Sequence, residues 1–291
     1  MATGLDYTTD DLMCVCISRQ VEDGEVLAQG IATPLVAAGY LLAWHTHAPN
    51  VTFASAIGNV LCRPAARHNA PPLGLTRVEE FWLGQASSLL SFAEIGCELL
   101  PTLCPKEFFR PAQVDPIGQF NNVVIGDYAH PRLRLPGCGG IADVTVLSPR
   151  VYLYVPNHSP SVFVERVDFV SGLGLPTAER PGARSGPRLL ISDLGVFDYA
   201  GGRMRLRSAH PGVTPERVRQ ETGFAFDLAP DVHETSPPSA EEVRLLREVI
   251  DPLGIRELER LGGARRRQRM REMVRTENDT HSRRMNHAGS Q

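Results

Sequence analysis

The segment Pro136–Gly140, with the sequence PGCGG, contains the residue types that could bind a negatively charged group. Its glycines let the backbone turn sharply and leave N–H groups exposed to an anion or to a developing oxyanion. A helix that begins near Ile141 would add the positive end of its dipole. The spacing matches neither the GxGxxG of a dinucleotide fold nor a phosphate-binding loop, in which GK[ST] follows. The alternative without chemistry is a plain flexible turn.

The cysteines are the other potentially reactive side chains, and their spacing does not indicate a metal or disulfide site. They are Cys14, Cys16, Cys62, Cys97, Cys104 and Cys138. No CxxC pair occurs, so zinc sites and thioredoxin-like sites are not indicated. We expect reduced thiols, several of them in the core, as in cytosolic proteins. For Cys138, inside the glycine-rich segment, a packing role is favoured over a reactive thiol.

The first sixty residues predict the elements that would position a site. They indicate helix, strand, helix and strand with short connections, the second helix being Pro34–Thr46 and the second strand Asn50–Ala56. Short connections favour compact βαβ packing and a parallel sheet. Ligands of such sheets bind at the carboxyl ends of the strands. Here those ends are Gly30–Thr33 and Ala54–Gly58.

Helix starts further along the chain are indicated by capping residues. The candidates are Thr8 or Thr9, Thr33 before Pro34, Thr214, and Ser239 with Glu242 at the capping-box position. A side-chain oxygen at such a position accepts from an otherwise unpaired N–H of the first turn. Residues Thr76–Ile95 are predicted to be one helix, with Trp82 buried. A Pro-rich segment before it, Leu61–Leu75, is predicted to be a loop.

Composition places the 291-residue chain among ordinary globular proteins. It is 42% hydrophobic and 22% charged, with a formal net charge of -3. This balance shows no bias towards nucleic acid or membrane surfaces. The first residues have neither the basic nor the apolar region of a signal peptide, and no apolar run approaches membrane-spanning length. We therefore expect a cytoplasmic protein with no nucleic-acid or membrane partner.

The composition changes near Gly262, which suggests a domain of residues 1–261 followed by a tail of residues 262–291. The tail is rich in arginine and almost without apolar side chains. Such a segment buries too little apolar surface to order itself, so we expect a frayed helix and a disordered extension. The basic run could contact RNA or an acidic partner, but a solvated extension is favoured.

Several blocks, in this order and spacing, resemble one family. They are GIATPLVAAG (Gly30–Gly39), HAPNVTFASAIG (His47–Gly58), AQVDPIGQFNNVVIGD (Ala112–Asp127), HPRLRLPGCGG (His130–Gly140), RLLISDLGVF (Arg188–Phe197) and TPERVRQETGF (Thr214–Phe224). Together they resemble the β subunits of class I CoA-transferases, in particular the glutaconate type and its decarboxylase (AibB) branch. The resemblance covers about residues 8–253. It implies an α/β fold with an open, mostly parallel sheet and flanking helices, of the NagB/RpiA/CoA-transferase type.

The family resemblance also implies a catalytic glutamate that this chain lacks. In the β subunit that glutamate attacks the CoA thioester, and aligning Ala48, Pro49 and Gly58 without a gap puts its position at Ala56. Nucleophilic catalysis by a carboxylate needs the carboxylate itself. Ile57 departs from the small residue that the family has next. The decarboxylase branch places a cysteine at the glutamate position, which this chain also lacks.

The resemblance implies further residues around a substrate pocket. Those expected to bind the substrate or an oxyanion are Ala32, Thr33, Ser55, Ala56, Asn121, Gly137, Cys138, Gly139 and Gly140. For Asn121 a turn-stabilising amide is an equally good interpretation. No metal and no bound cofactor are expected, because coenzyme A enters as part of the substrate.

Three functions remain open at this point. A lyase or hydrolase subunit that binds a carboxyl-bearing acyl-CoA is favoured, because Ala56 cannot form the family's covalent intermediate. The second is a true CoA-transferase whose carboxylate comes from the partner subunit. The third is a non-catalytic binding or scaffolding subunit. In each case the resemblance implies a homologous α subunit as partner, in a heterodimer or heterotetramer.

Overall fold

The computed structural model describes residues 6–30, 32–64, 70–177 and 186–288. These residues form two compact units. The first contains residues 6–25, 29–89 and 238–288, and the second contains residues 26–28 and 90–237. Both combine strands with helices, and the parallel pairings of the second unit confirm the predicted α/β class with a mostly parallel sheet and flanking helices.

The helices and strands have the following bounds. The α-helices are α1 (Thr9–Ser18), α2 (Pro34–His45), α3 (Glu79–Gly84), α4 (Phe92–Glu94), α5 (Leu100–Leu103), α6 (Ile141–Leu147), α7 (Pro215–Gln220), α8 (Ala240–Arg244) and α9 (Gly263–Ala288). Ile95–Leu99 and Leu245–Ile250 are wider π turns, and Ile255–Glu259 is a 3-10 helix. The strands are β1 (Val26–Gln29), β2 (Thr52–Ser55), β3 (Val60–Cys62), β4 (Ala86–Leu89), β5 (Lys106–Phe109), β6 (Gln113–Val114), β7 (Phe120–Asn121), β8 (Val124–Gly126), β9 (Pro131–Arg134), β10 (Val151–Val155), β11 (Leu189–Ser192), β12 (Gly195–Asp198), β13 (Arg205–Ala209) and β14 (Asp227–Glu234).

The second unit is built on a sheet with the strand order β14, β13, β12, β11, β10, β5, β1. Strands β1, β5, β10 and β11 run parallel to their neighbours, as expected where helices connect successive strands. The antiparallel pairs β11–β12 and β12–β13 follow short turns. A cluster of buried aromatic side chains forms the core, including Phe109, Phe120, Phe163 and Phe197.

The first unit contains the antiparallel strands β2, β3 and β4, with Ser55 opposite Val60 and Val60 opposite Leu89. The predicted helix Thr76–Ile95 is therefore wrong in its middle: α3 ends at Gly84 and β4 follows. The predicted loop Leu61–Leu75 is likewise wrong at its start, which belongs to β3. Pairing between β3 and β4 decides this, because a strand partner more than twenty residues away can override local helix propensity.

The ends of the first unit are joined by buried ion pairs. Arg256, 4% exposed, lies 2.8 Å from the carboxylate of Asp11 in α1 and 2.8 Å from that of Asp251. Arg247 lies 2.6 Å from Asp11. Arginine suits such a site because its planar guanidinium donates several hydrogen bonds in fixed directions. The segment before α9 is thereby fixed to the first helix of the chain.

The structure corrects the expectation of a disordered C-terminal tail over residues 263–288, which form the single helix α9. Its sequence is highly charged, but Met273 is 1% and Glu277 is 8% exposed. Arg269 adds an ion pair of 3.1 Å to Glu257. A few side chains at helical spacing are therefore enough to dock the helix, although its mean composition resembles a disordered segment.

Among the described residues, the longest and most apolar helices still fall short of what crossing a membrane requires.

Candidate functional site

Ala56 is the first residue of the tight turn that joins β2 to β3. Its N–H donates a 3.0 Å hydrogen bond to the carbonyl oxygen of Gln29, the last residue of β1. The turn closes through Gly58 and Asn59, whose φ angles are +76° and +52°. Ala56 is exposed, at the carboxyl ends of two neighbouring strands. Brändén's rule places ligands at this edge, but the methyl side chain can neither attack nor transfer a proton.

Ser55 shapes this turn from inside. The residue is fully buried, and its Oγ accepts a 3.1 Å hydrogen bond from the N–H of Ile57. Local side-chain to backbone bonds of this kind stabilise turns. The structure therefore gives the Ser55 hydroxyl a structural contact beside Ala56.

The loop after β1 carries Ala32 and Thr33. Ala32 has a φ of +60°, in the left-handed region that is strained for residues other than glycine. Thr33 was predicted to cap α2, but its hydroxyl donates to the carbonyl of Gly30 at 3.0 Å instead. The buried carboxylate of Glu259 accepts from the N–H of Leu35 at 2.9 Å. A residue more than two hundred positions away therefore satisfies the start of α2.

The glycine-rich segment lies in the second unit, between β9 and α6. Gly137 and Gly139 have φ angles of +110° and +44°, and a side chain at either position or at Gly140 would point into open space. The N–H of Gly137 donates to the carbonyl of Asn122, which fixes the start of the turn.

The amides that follow in this segment point to no protein acceptor. Within the described part of the chain, the N–H groups of Cys138, Gly139 and Gly140 have no hydrogen-bond acceptor, while that of Ile141 donates to the carbonyl of Cys138. Cys138 itself is half-buried. The segment therefore presents consecutive backbone donors, as an oxyanion-binding turn requires.

Asn121 does not present its amide to a ligand. The residue is fully buried, and its Nδ2 donates to Gln113 Oε1 at 2.7 Å and to the carbonyl of Val124 at 2.5 Å. Its Oδ1 accepts from the N–H groups of Val123 and Val124. All its hydrogen-bonding capacity is used within the protein. The structural interpretation of Asn121 therefore replaces the substrate-binding one.

The partners of Asn121 belong to a network that sequence reasoning missed. Gln113 donates to Asp168 at 3.0 Å and accepts from the N–H of Asp168 at 3.0 Å. The same carboxylate accepts from the N–H of Gly126. These residues are 42 to 55 positions apart in sequence, so no local signal could have joined them.

The predicted site residues thus fall into two groups. Ala32, Thr33, Ser55 and Ala56 belong to the first unit, where β1 and β2 bring them to one edge. Gly137, Cys138, Gly139 and Gly140 belong to the second unit and form one continuous turn.

Two buried ionisable groups in the second unit were also missed. Burial raises the pKa of Glu107 in β5 to about 8, and it lowers the pKa of His158 to about 3. His158 stacks on Phe163 and contacts the hydroxyls of Ser192 and Thr222 at 3.0 and 2.9 Å. His158 is therefore a neutral structural residue at pH 7, and Glu107 is largely protonated there.

A cavity of about 640 Å³ in the first unit contains none of the predicted site residues. Arginines and carboxylates alternate along its wall, including Arg256, Arg269, Asp251 and Glu257. Because Arg256 pairs with Asp251 and Arg269 with Glu257, these charges compensate one another. Over the described ranges, no group of three or more His, Cys, Asp or Glu side chains is placed to hold a metal ion.

Comparisons with known proteins agree on one family. Residues 108–221 match the family model described as "Coenzyme A transferase". The chain is 29% identical over 266 residues to the β subunit of glutaconate CoA-transferase from Acidaminococcus fermentans, covering 87% of this chain and 96% of the relative. It is 31% identical over 264 residues to the β subunit of 3-oxoadipate CoA-transferase from Pseudomonas knackmussii, covering 83% and 92%.

Solved structures with the same fold include enzymes that are not called transferases. The decarboxylase AibA/AibB matches with a TM-score of 0.76 and 30% identity, over 87% of this chain and 98% of the other. IpdAB from Rhodococcus jostii RHA1 matches with a TM-score of 0.75 and 25% identity, over 89% of this chain and 100% of the other. These likenesses confirm the resemblance that the sequence blocks predicted.

Proposed function

This chain belongs to the coenzyme A transferase family, and from that premise we propose that it is the β subunit of a heteromeric enzyme acting on a carboxyl-bearing acyl-CoA thioester. We further propose that the reaction is a decarboxylation or a hydrolysis, without a covalent enzyme intermediate on this chain. The single observation that carries the second step is Ala56, an exposed methyl group at the edge where β1 and β2 end.

The chemistry assigned to Ala56 follows from what a methyl group lacks. A transferase of this family requires a carboxylate that attacks the thioester carbon, and alanine has no lone pair to offer. A pocket that keeps the acyl-CoA binding mode but has no nucleophile favours reactions in which the substrate's own groups react. Decarboxylation and carbon–carbon bond hydrolysis are reactions of that kind.

The turn Gly137–Gly140 is assigned the role of oxyanion stabiliser in this proposal. In a decarboxylation the bond to the carboxylate breaks, CO2 leaves, and the electron pair passes towards the thioester oxygen. The free N–H groups of Gly139 and Gly140 would hold that oxygen by hydrogen bonds. A proton must then return to carbon, and we assign the acid to the partner subunit. Coenzyme A takes part as a portion of the substrate, and we propose no bound cofactor.

The partner is proposed from the family. The decarboxylase AibA/AibB and IpdAB are each described by two-component names, and each transferase relative is named as one subunit of its enzyme. We propose a homologous α subunit for this chain, in a heterodimer or heterotetramer, and a cytoplasmic location. Expressed alone, the chain should bind acyl-CoA weakly, because it supplies one wall of the family's pocket. Light scattering and an activity assay on the isolated chain test this.

A second candidate function is a true CoA-transferase whose catalytic carboxylate lies on the partner subunit. The relatives named as transferases favour it. A third, a non-catalytic binding or scaffolding subunit, is favoured by the absence of a nucleophilic side chain at Ala56.

Intact-mass spectrometry of the complex separates these functions. The complex of this chain with its α subunit is incubated with a carboxyl-bearing acyl-CoA and then treated with borohydride, which reduces a glutamyl-CoA thioester. We expect no mass change on either chain, together with release of CO2 or of a hydrolysed product. A mass change that maps to this chain contradicts the proposal. An adduct on the partner alone supports the transferase with a relocated carboxylate, and no product at all supports the scaffolding subunit.

A further inference from the structure

Helix α9 lies beyond the part of the chain that resembles the family, which ends near residue 253. It is docked through one face, on which Met273 and Glu277 are buried while the neighbouring Arg275 is exposed. A carboxylate that is 8% exposed on an otherwise charged, solvated helix needs a set of donors to compensate its desolvation. Those donors identify what the helix holds.

The Glu277 carboxylate binds one short loop by three hydrogen bonds. Its Oε1 accepts from the N–H of Leu75 at 2.9 Å, and its Oε2 accepts from the N–H and the hydroxyl of Thr76 at 2.8 and 2.6 Å. Gly74 comes so close to Oε1 that any side chain there would collide with it. Charge-assisted bonds of this kind are short and roughly twice as strong as neutral ones. Glu277 therefore fixes the backbone of residues 74–76.

This loop leads directly into α3, and α3 covers the turn that carries Ala56. Leu83 lies so close to Gly58 that a Cβ atom built on Gly58 would be 2.9 Å from Leu83 Cδ2. The ring of Trp82, fully buried, lies 5.2 Å from the ring of Phe53 in β2. Both contacts belong to the first unit. A displacement of α3 would therefore be felt at the end of β2 and in the turn of residues 56–59.

We propose that Glu277 is a positioning residue: through residues 74–76 and α3 it holds the Ala56–Asn59 turn in the geometry that binds acyl-CoA. The link to acyl-CoA rests on the proposed function, whereas the link from Glu277 to the turn does not. On this basis the C-terminal helix is a functional part of the subunit and not a solvated appendage.

Hydrogen exchange on the complex of the full-length chain with its α subunit tests the first link. We expect Glu277→Ala to speed amide exchange in residues 74–84 and 56–59 by tenfold or more. Two control variants are matched to it. Met273→Ala removes a buried contact of the same helix but leaves the three hydrogen bonds, and Arg275→Ala changes the exposed face.

The second link is measured by the dissociation constant of glutaryl-CoA, used as a carboxyl-bearing probe. We expect Glu277→Ala to raise it about tenfold, Glu277→Gln to recover part of the loss because its oxygen can still accept, and Arg275→Ala to leave it unchanged. Met273→Ala should raise it less than Glu277→Ala at an equal loss of melting temperature. If Glu277→Ala does not fold, Glu277→Gln, which has nearly the same shape, takes its place in both measurements.

The outcomes separate this proposal from the proposed function. Unchanged exchange in residues 74–84 and 56–59 overturns the role of Glu277. Faster exchange with an unchanged dissociation constant, or equal effects of Met273→Ala and Glu277→Ala, reduces Glu277 to a stabilising residue and also overturns it. If the wild-type complex does not bind the probe, the proposed function fails, and exchange at residues 56–59 alone decides whether Glu277 positions the turn.

Discussion

The N–H of Ala56 donates a 3.0 Å hydrogen bond to the carbonyl oxygen of Gln29, which joins the ends of β2 and β1. This bond uses only backbone atoms, so it places whatever side chain stands at position 56 at the edge of the sheet. An alanine there keeps the backbone geometry of the turn and removes the nucleophile that the family requires. The predictions below test the structural groups around this edge and in the second unit.

Ala32 occupies a strained backbone conformation, with a φ of +60°. Glycine adopts such a φ without steric cost, so Ala32→Gly should be neutral or stabilise the protein by up to about 1 kcal/mol. Chemical denaturation measures the free energy of unfolding. In the matched control, Ala142→Gly in the exposed face of α6, we expect a loss of about 1 kcal/mol. Equal losses at the two positions would show that Ala32 is not strained.

Gly139 should be essential for activity because its φ is +44° and its N–H is free. A β-branched residue disfavours this conformation, so Gly139→Val should turn the amide and lower kcat/KM by about two orders of magnitude, the scale of losing an oxyanion donor. Gly140→Ala is the control: its φ of -85° suits alanine, and its side chain would meet open space. We expect a much smaller effect there. Normal turnover of a folded Gly139→Val variant would make the segment a plain turn.

Asn121 should matter for stability rather than for substrate binding. Asn121→Ala leaves the buried Gln113 Oε1 and the N–H groups of Val123 and Val124 without their partner. We expect a loss of about 2–4 kcal/mol in the free energy of unfolding, the scale of several unsatisfied buried groups. The exposed Asn50, which binds Asp23, is the control, and Asn50→Ala should cost far less. A higher KM for acyl-CoA with unchanged stability would return Asn121 to the binding site.

Glu107 should make the protein less stable as the pH rises. Burial raises its pKa from 4.5 to about 8, so between these values the folded state holds a proton that the unfolded state has released. Stability is therefore complete below pH 4.5 and falls as the pH rises towards 8. Replacing Glu107 with glutamine should stabilise the protein at pH 8 and change little at pH 4.5, as measured by melting temperature.

Glu94 provides the matched comparison for Glu107. It is exposed, and the hydrogen bond from the N–H of Ser91 lowers its pKa. Glu94→Gln should therefore show the opposite trend, with its loss of stability greatest above its ordinary pKa and vanishing in acid. The same pH trend in both variants would mean that burial does not govern the Glu107 carboxyl.

The amino-acid sequence by itself determined the features that depend on neighbouring residues or on the order of motifs. The caps at Thr8, Thr214 and Ser239 form as predicted, because each side chain reaches an N–H three residues away. Glu242 completes the capping box of Ser239. The family, the α/β class and the positive φ angles of the glycine-rich turn could likewise be predicted, since each follows from local residue types or from blocks in a fixed order.

Tertiary structure alone decided the contacts that join distant parts of the chain. Glu259, not Thr33, satisfies the start of α2, and Glu277 orders a helix whose composition resembles a disordered tail. Asn121 became a buried structural amide because Gln113 and Val124 occupy its polar atoms. In each case the deciding partner is a buried polar group that must find a hydrogen bond once water is excluded. Which group lies within reach is set by the packing of the elements, which no local sequence pattern contains.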